Sequence, residues 1–213
     1  LAANTVLQEL DLSGGKEKWE HTIDAAFVKE FAVGLGANGA LEKLLIDANG
    51  LKGEEVGKVL GDAIAVNTVL KELDLSGSRY DSHKCVVSAF FKGFSVGLGA
   101  NGALTSLNIR DIDIGDEGKK ALGYALMQNN VQFMVCDKWS INPETTELNV
   151  SSKKLKAADA VLLAGVIHTN ETLTSLNISN NEIVPVVGWK YIHDFNRYYV
   201  CLLYTSPSPR DDR

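Results

Sequence analysis

The residues of this 213-residue chain that could do chemistry are two copies of GLGANG, at 34–39 and 97–102. Both match GxGxxG, the pattern that holds a dinucleotide pyrophosphate. That chemistry needs the glycines to follow a strand and open a helix, so that the amides at the helix start face the phosphates. Here the order is reversed: periodicity predicts a helix over Asp24–Leu35 before the glycines and a strand at Leu41 after them. Gly36 or Gly39 is expected to take positive φ and end the helix. No cofactor is expected.

Two acidic pairs, Glu54–Glu55 and Asp116–Glu117, could suggest paired carboxylates for acid–base work. Both follow a glycine at a predicted helix start, where a carboxylate offsets the positive helix end by about 0.3–1 kcal/mol, so helix stabilisation is favoured. His21, His83, His168 and His193 are scattered and do not fall at metal-ligand spacing. Cys85, Cys136 and Cys201 form no CxxC pair and no disulfide framework. The triplets starting at Asn149, Asn170 and Asn177 match the glycosylation acceptor, a short pattern frequent by chance. Catalytic and metal-binding residues are therefore not expected, and the chain is expected not to be an enzyme.

The elements that must carry these residues follow from a repeat. Leu-x-x-Leu-x-(Leu/Ile/Val) occurs as Leu7/Leu10/Leu12, Leu41/Leu44/Ile46, Leu70/Leu73/Leu75, Leu104/Leu107/Ile109, a degenerate Thr145/Leu148/Val150 and Leu173/Leu176/Ile178. The first residues lie 34, 29, 34, 41 and 28 apart, the period of a solenoid. Leu73 and Leu75 are two apart, as in a strand, whereas Val56, Val59, Leu60, Ala63 and Ile64 recur at helical spacing. Each unit is thus read as strand, loop, helix and turn. Burying one leucine contributes about 1.5–3 kcal/mol, so a unit needs its neighbours to cover it.

The unit from Leu41, with Leu44, Ile46, Asn49, Leu51 and Gly57, resembles the leucine-rich repeats of the ribonuclease-inhibitor type. The resemblance covers 1–183. It implies an α/β leucine-rich-repeat solenoid with a parallel β-sheet on the concave face and α-helices on the convex face. It also implies that Asn49 and Asn181 bond the turning backbone after the strand. Gly15, Ser78, Ile112 and Lys153 occupy that position in other units.

A larger copy is also visible. NTVLQELDLSG at 4–14 returns as NTVLKELDLSG at 67–77, and VGLGANGAL at 33–41 returns at 96–104. The stretch 131–144 breaks the rhythm and is read as a strand–loop–strand insertion, with Trp139 packed beneath its loop. Residues 184–200 carry no repeat signal and are read as out of frame or disordered. CLLYTSPSPRD at 201–211 resembles translated sequencing adapter, so 201–213 is read as an artefact tail.

Net charge of −6 argues against nonspecific nucleic-acid binding, and no apolar run reaches the ~20 residues of a membrane span. With few cysteines and no signal peptide before Leu1, a cytoplasmic location is expected.

The expected contact surface is the concave face, where residues flanking each buried middle leucine point outward. These are Glu9 and Asp11, Lys43 and Leu45, Glu72 and Asp74, Ser106 and Asn108, Glu147 and Asn149, Ser175 and Asn177, followed by Asp47 and Arg110 after their strands. Five carboxylates of the first three units face a single Lys43. Their repulsion would be relieved by a partner with a basic surface, although charges also keep an open sheet face wet. The expected function is a non-enzymatic protein-interaction module. The alternatives are a GTPase regulator of the GTPase-activating kind, which some relatives of the repeat resemble, or the sensor or scaffold arm of a larger protein. The start at Leu1 inside a repeat is expected to leave the stack uncapped and prone to self-association.

Overall fold

The computed structural model describes residues 1–13, 25–46, 51–77 and 87–183. Asp47 and Asn49, the histidines at 21, 83 and 193, the cysteines at 85 and 201, and the readings of 184–200 and 201–213 lie outside the described residues.

Strands and helices alternate along the chain. In order they are β1 (Glu9–Asp11), α1 (Ala25–Gly36), β2 (Lys43–Leu45), α2 (Glu54–Val66), β3 (Glu72–Asp74), α3 (Ser88–Ala100) and β4 (Ser106–Asn108). Then come α4 (Gly115–Leu126), β5 (Phe133–Val135), β6 (Ser140–Ile141), β7 (Glu147–Asn149), α5 (Ala157–Ile167) and β8 (Ser175–Asn177). Strands β1 to β5 pair parallel in sequence order. Their middle residues Leu10, Leu44, Leu73, Leu107 and Met134 fall in register. Side chains alternate across a strand, so this register stacks the middle residues on one face, against the helices. Leu44, Leu73, Leu107 and Met134 are buried there in one core that runs the length of the solenoid. The fold is an α/β leucine-rich-repeat solenoid.

The helices pack in a single layer, each against the next. Glycine sets how closely they approach. A Cβ on Gly57 would overlap the Phe90 carbonyl oxygen, and one on Gly61 would sit 2.7 Å from that of Phe94. Gly93 and Gly97 meet α2 in the same way, and Gly123 of α4 meets Val161 of α5. Gly57 and Gly61, like Gly93 and Gly97, lie four apart and so share one helix face. On the core side α3 presents Phe90, Phe91 and Phe94, with Phe90 and Phe94 stacked at 5.7 Å.

The helix ends differ from expectation. Gly36 is the last residue of α1, and neither it nor Gly39 has positive φ. An asparagine does the work instead. Asn67, the residue after α2, is extended, and its amide bonds the carbonyls of Ala63 and Ile64. Its Oδ1 accepts from the amides of Val69 and Leu70 at 2.9 and 2.7 Å. Its Nδ2 donates across to the preceding coil, to the carbonyls of Leu35 (2.8 Å) and Asn38 (3.1 Å). Asn38 and Asn101 repeat every one of these side-chain bonds on their own coils. Asn129 and Asn170 repeat part of the pattern. This ladder, three residues before the first leucine of the regular motifs and two before Val131, was not read from the sequence. A buried polar group persists when its hydrogen-bond needs are met, as they are here. The expected turn asparagine Asn181 also bonds backbone: it donates to Val150 and Ile178 and accepts from Lys153 and Leu155.

One unit departs from the regular stack. β5 pairs parallel with β4, Met134 opposite Leu107, so Val131/Met134/Cys136 is a further copy of the motif with no helix after it. The 41-residue gap read from the leucines divides there into 27 and 14. β6 then folds back antiparallel on β5, and β7 and β8 form a separate parallel pair. The expected solenoid with a parallel sheet holds, and within it the strand ladder ends at β6, while the helix layer continues from α4 to α5. Without a helix after β5, the hairpin must close the core itself. Trp139 and Ile141 are buried in it.

The seam is tied by one carboxylate. Asp159 of α5, 3% exposed, meets Lys119 of α4 at 2.9 Å and Lys138 of the hairpin at 2.8 Å. It also accepts the Lys156 amide at 2.8 Å. Burial pushes this carboxyl up, but the bonds from Lys138, the Lys156 amide and Lys119 outweigh it and hold the group below the ordinary carboxylate value.

Candidate functional site

The outward positions of the strands form rows across the sheet. One row runs Glu9, Lys43, Glu72, Ser106, Phe133 from β1 to β5; the next runs Asp11, Leu45, Asp74, Asn108, Val135. Neighbouring strands lie about 4.8 Å apart, so each row is a line of touching side chains. Glu147 with Ser175 and Asn149 with Asn177 make equivalent but shorter rows on the β7–β8 pair. The expected surface residues thus fall into two groups, separated where the ladder breaks. Arg110 is exposed just after β4.

The first row alternates in charge. Lys43 pairs with Glu9 at 3.0 Å, and the carboxylates of Glu72 and Asp74 add to the Glu9 interaction in raising its pKa. Just before these strands Lys71 pairs with Glu42, also at 3.0 Å. Of the acidic residues expected to crowd Lys43, Glu9 is paired with it, and among the described residues of these strands the acidic excess rests on Asp11, Glu72 and Asp74.

The second row has a structural task as well. Asp11 accepts the hydroxyl and amide of Ser13, which lower its pKa. Asp74 accepts the Ser76 amide at 2.8 Å and the Asn108 Nδ2 at 2.9 Å. Asn108, Asn149 and Asn177 accept the amides of Arg110, Ser151 and Ser179. Asp and Asn favour turns because a short side chain can bond backbone two residues on. These residues hold the chain as it leaves each strand while keeping polar atoms on the open face.

Phe133 was missed. It is 39% exposed on this face, beside Ser106 in the first row, with Val135 below it in the second. The signal was present, since 133 flanks the middle residue of a Val-x-x-Met-x-Cys motif, but methionine and cysteine at the leucine positions hid the repeat.

The residues first singled out for chemistry are placed elsewhere. Each GLGANG lies at a helix end, leading through its asparagine into a strand, which is the reverse of a pyrophosphate cradle. Glu54 and Glu55 stand in the first turn of α2 and Asp116 and Glu117 in that of α4. Lys29 lowers the pKa of Glu55 and Lys120 that of Glu117, each by a hydrogen-bonded ion pair. Among the described residues no group of three or more His, Cys, Asp or Glu is placed to hold a metal ion. No helix among them is long and apolar enough to cross a membrane.

Strand register and helix layer together define a leucine-rich-repeat fold. A leucine rich repeat family model matches residues 101–123 and 169–184, and both matches take in a ladder asparagine and the strand after it. Among solved structures, one described as leiomodin-1 actin-binding site 2 is similar at 19% identity with a TM-score of 0.43, covering 71% of this chain and 76% of that one. A likeness of that strength carries nothing about function. No curated protein sequence matches the chain significantly.

Proposed function

We propose that the chain is a non-enzymatic protein-interaction module of the ribonuclease-inhibitor-like type that takes its partner on the open sheet face. The observation that carries this reading is the pair of in-register rows. They put Glu72, Asp74 and the exposed ring of Phe133 on one surface that no helix covers among the described residues. Interface centres are enriched in aromatic residues while charged groups gather at the rim, and Phe133 stands two strands from Glu72 and Asp74 on this face. The acidic excess selects a partner with a basic surface and speeds its approach.

The test is selection of binders to the intact chain from a displayed protein library, followed by affinity measurement on variants. Phe133→Ala and Glu72→Lys are each expected to weaken binding about tenfold or more. Asp62→Lys, on the exposed side of α2, is expected to leave it unchanged. Binders that respond only to the helix-layer change would overturn the reading.

A further inference from the structure

The register of β3, β4 and β5 arranges the outward side chains at the middle of the sheet as three columns. Glu72 and Asp74 stand on β3, Ser106 and Asn108 on β4, and Phe133 and Val135 on β5. Within a column the two side chains are about 7 Å apart, and the outer columns lie two strand spacings, about 10 Å, from each other. The columns differ in size as well as in chemistry. Glu72 and Phe133 are exposed, whereas Ser106 and Asn108 are shorter and half-buried. The Asn108 Nδ2 leans onto Asp74 at 2.9 Å. The middle column is therefore the floor of a shallow trough, with an acidic wall on one side and an apolar wall on the other. The acidic wall is open to a cation: the nearby Lys43 and Lys71 pair with Glu9 and Glu42, and among the described residues neither Glu72 nor Asp74 is in an ion pair.

Two walls of different chemistry, both running along the strands, restrict what can lie between them. An extended chain turns every second side chain to the sheet, in a single line. Laid along the strands, it meets one wall and not the other. Laid across them, its inward residues recur at about 7 Å, out of step with the spacing of the walls. An α-helix meets both. With 3.6 residues per turn, adjacent residues diverge by about 100° around the axis, so two neighbouring stripes splay to the two walls. Within a stripe, residues four apart rise by about 6 Å, close to the step along each wall.

We infer that the element this face takes is an amphipathic α-helix of the partner, lying along β4. Two basic residues four apart would stand over Glu72 and Asp74, and two apolar residues four apart over Phe133 and Val135. Phe133 supplies the desolvated contact, and the carboxylates fix the rotation of the helix about its axis. The inference rests on the sheet face being the contact surface and adds the form and residue pattern of what that face holds.

The test uses the full chain and three synthetic peptides. The first is a helix locked by a lactam on its far face, with lysines at i and i+4 adjoining leucines at i+1 and i+5. The second is the same locked helix with the leucines moved opposite the lysines. The third has the first pattern, unlocked, with a proline at its centre, which breaks the helix. Fluorescence anisotropy is expected to show the first peptide bound about tenfold or more tighter than either of the others. Phe133→Ala and Glu72→Lys are each expected to erase most of that advantage, while Asp62→Lys leaves it intact. Equal binding of the first two peptides, or tightest binding by the proline peptide, would overturn the helix assignment. Library-selected binders separate this inference from the reading it rests on. If they respond to Phe133→Ala and Glu72→Lys but no peptide binds, the sheet face stands and the helix falls. If they ignore both changes, the sheet face falls and the helix with it.

Discussion

Asn67 and Asp159 are two polar side chains that tie neighbouring coils together, and both are buried. Asn67→Ala removes the partners of the Val69 and Leu70 amides and of the Asn38 carbonyl, while the Leu35 carbonyl keeps the Asn38 amide. Each buried group so stranded costs about 1–3 kcal/mol, so a loss of about 3 kcal/mol or more is expected in denaturant unfolding. Asp159→Ala leaves two lysines facing each other across the α4–hairpin–α5 seam. Breaking a buried pair typically costs about 3–5 kcal/mol, and the partial exposure of both lysines places this case at the low end. The pH dependence has a definite sign. The native Asp159 carboxyl sits below its unfolded value, near ~3.9 for a free aspartate, so its contribution is complete above that value. It is lost as pH falls through the lower native value. Acid titration of stability should therefore be shallower in this window for Asp159→Asn than for the parent. Leu73→Ala, a truncation in the middle of the stack, is expected to cost about 2–5 kcal/mol; an unchanged melting curve would remove Leu73 from the core.

At the scale of elements, helix spacing is set by what glycine leaves out. Gly57→Ala would drive a methyl into the Phe90 carbonyl and force α2 from α3, with an expected loss of about 1–3 kcal/mol. Gly39 has open space around its Cβ position and no positive φ. Gly39→Ala is therefore expected to be neutral or stabilising by up to about 1 kcal/mol, through the unfolded chain. Thermal melts of the two variants side by side would distinguish a packing glycine from a merely permissive one. The pair also corrects the reading of GLGANG as a glycine stop, because asparagine ends these helices.

For the whole molecule, the consequence of the strand break is that the polar face is not one uniform strip. The acidic excess lies on β1 to β3, the apolar anchor on β5, and β7–β8 carries Glu147 with asparagine and serine. A partner on this face should bind more weakly as salt rises, since exposed charges are screened over about 8 Å at physiological ionic strength. Glu72→Lys should flatten that salt dependence, whereas Phe133→Ala should weaken binding at every salt concentration and leave the slope alone.

The sequence by itself determined the repeat, the alternation of strand and helix, and which leucines face inward. These depend on period, and period survives in a linear string: Leu44, Leu73 and Leu107 are buried as their spacing required. The outward positions follow from the same alternation, which leaves a strand residue no third choice. The tertiary structure alone decided which strands are neighbours across 131–144, since the antiparallel turn of β6 depends on Trp139 and Ile141 closing a core that no helix covers. It alone joined Asp159 to Lys119 and Lys138, which are far apart in the chain and meet only when α4, the hairpin and α5 pack. The role of the asparagines divides the same way. Their recurrence before each motif lay in the sequence, but a hydrogen bond from one coil to the next exists only once the coils are stacked.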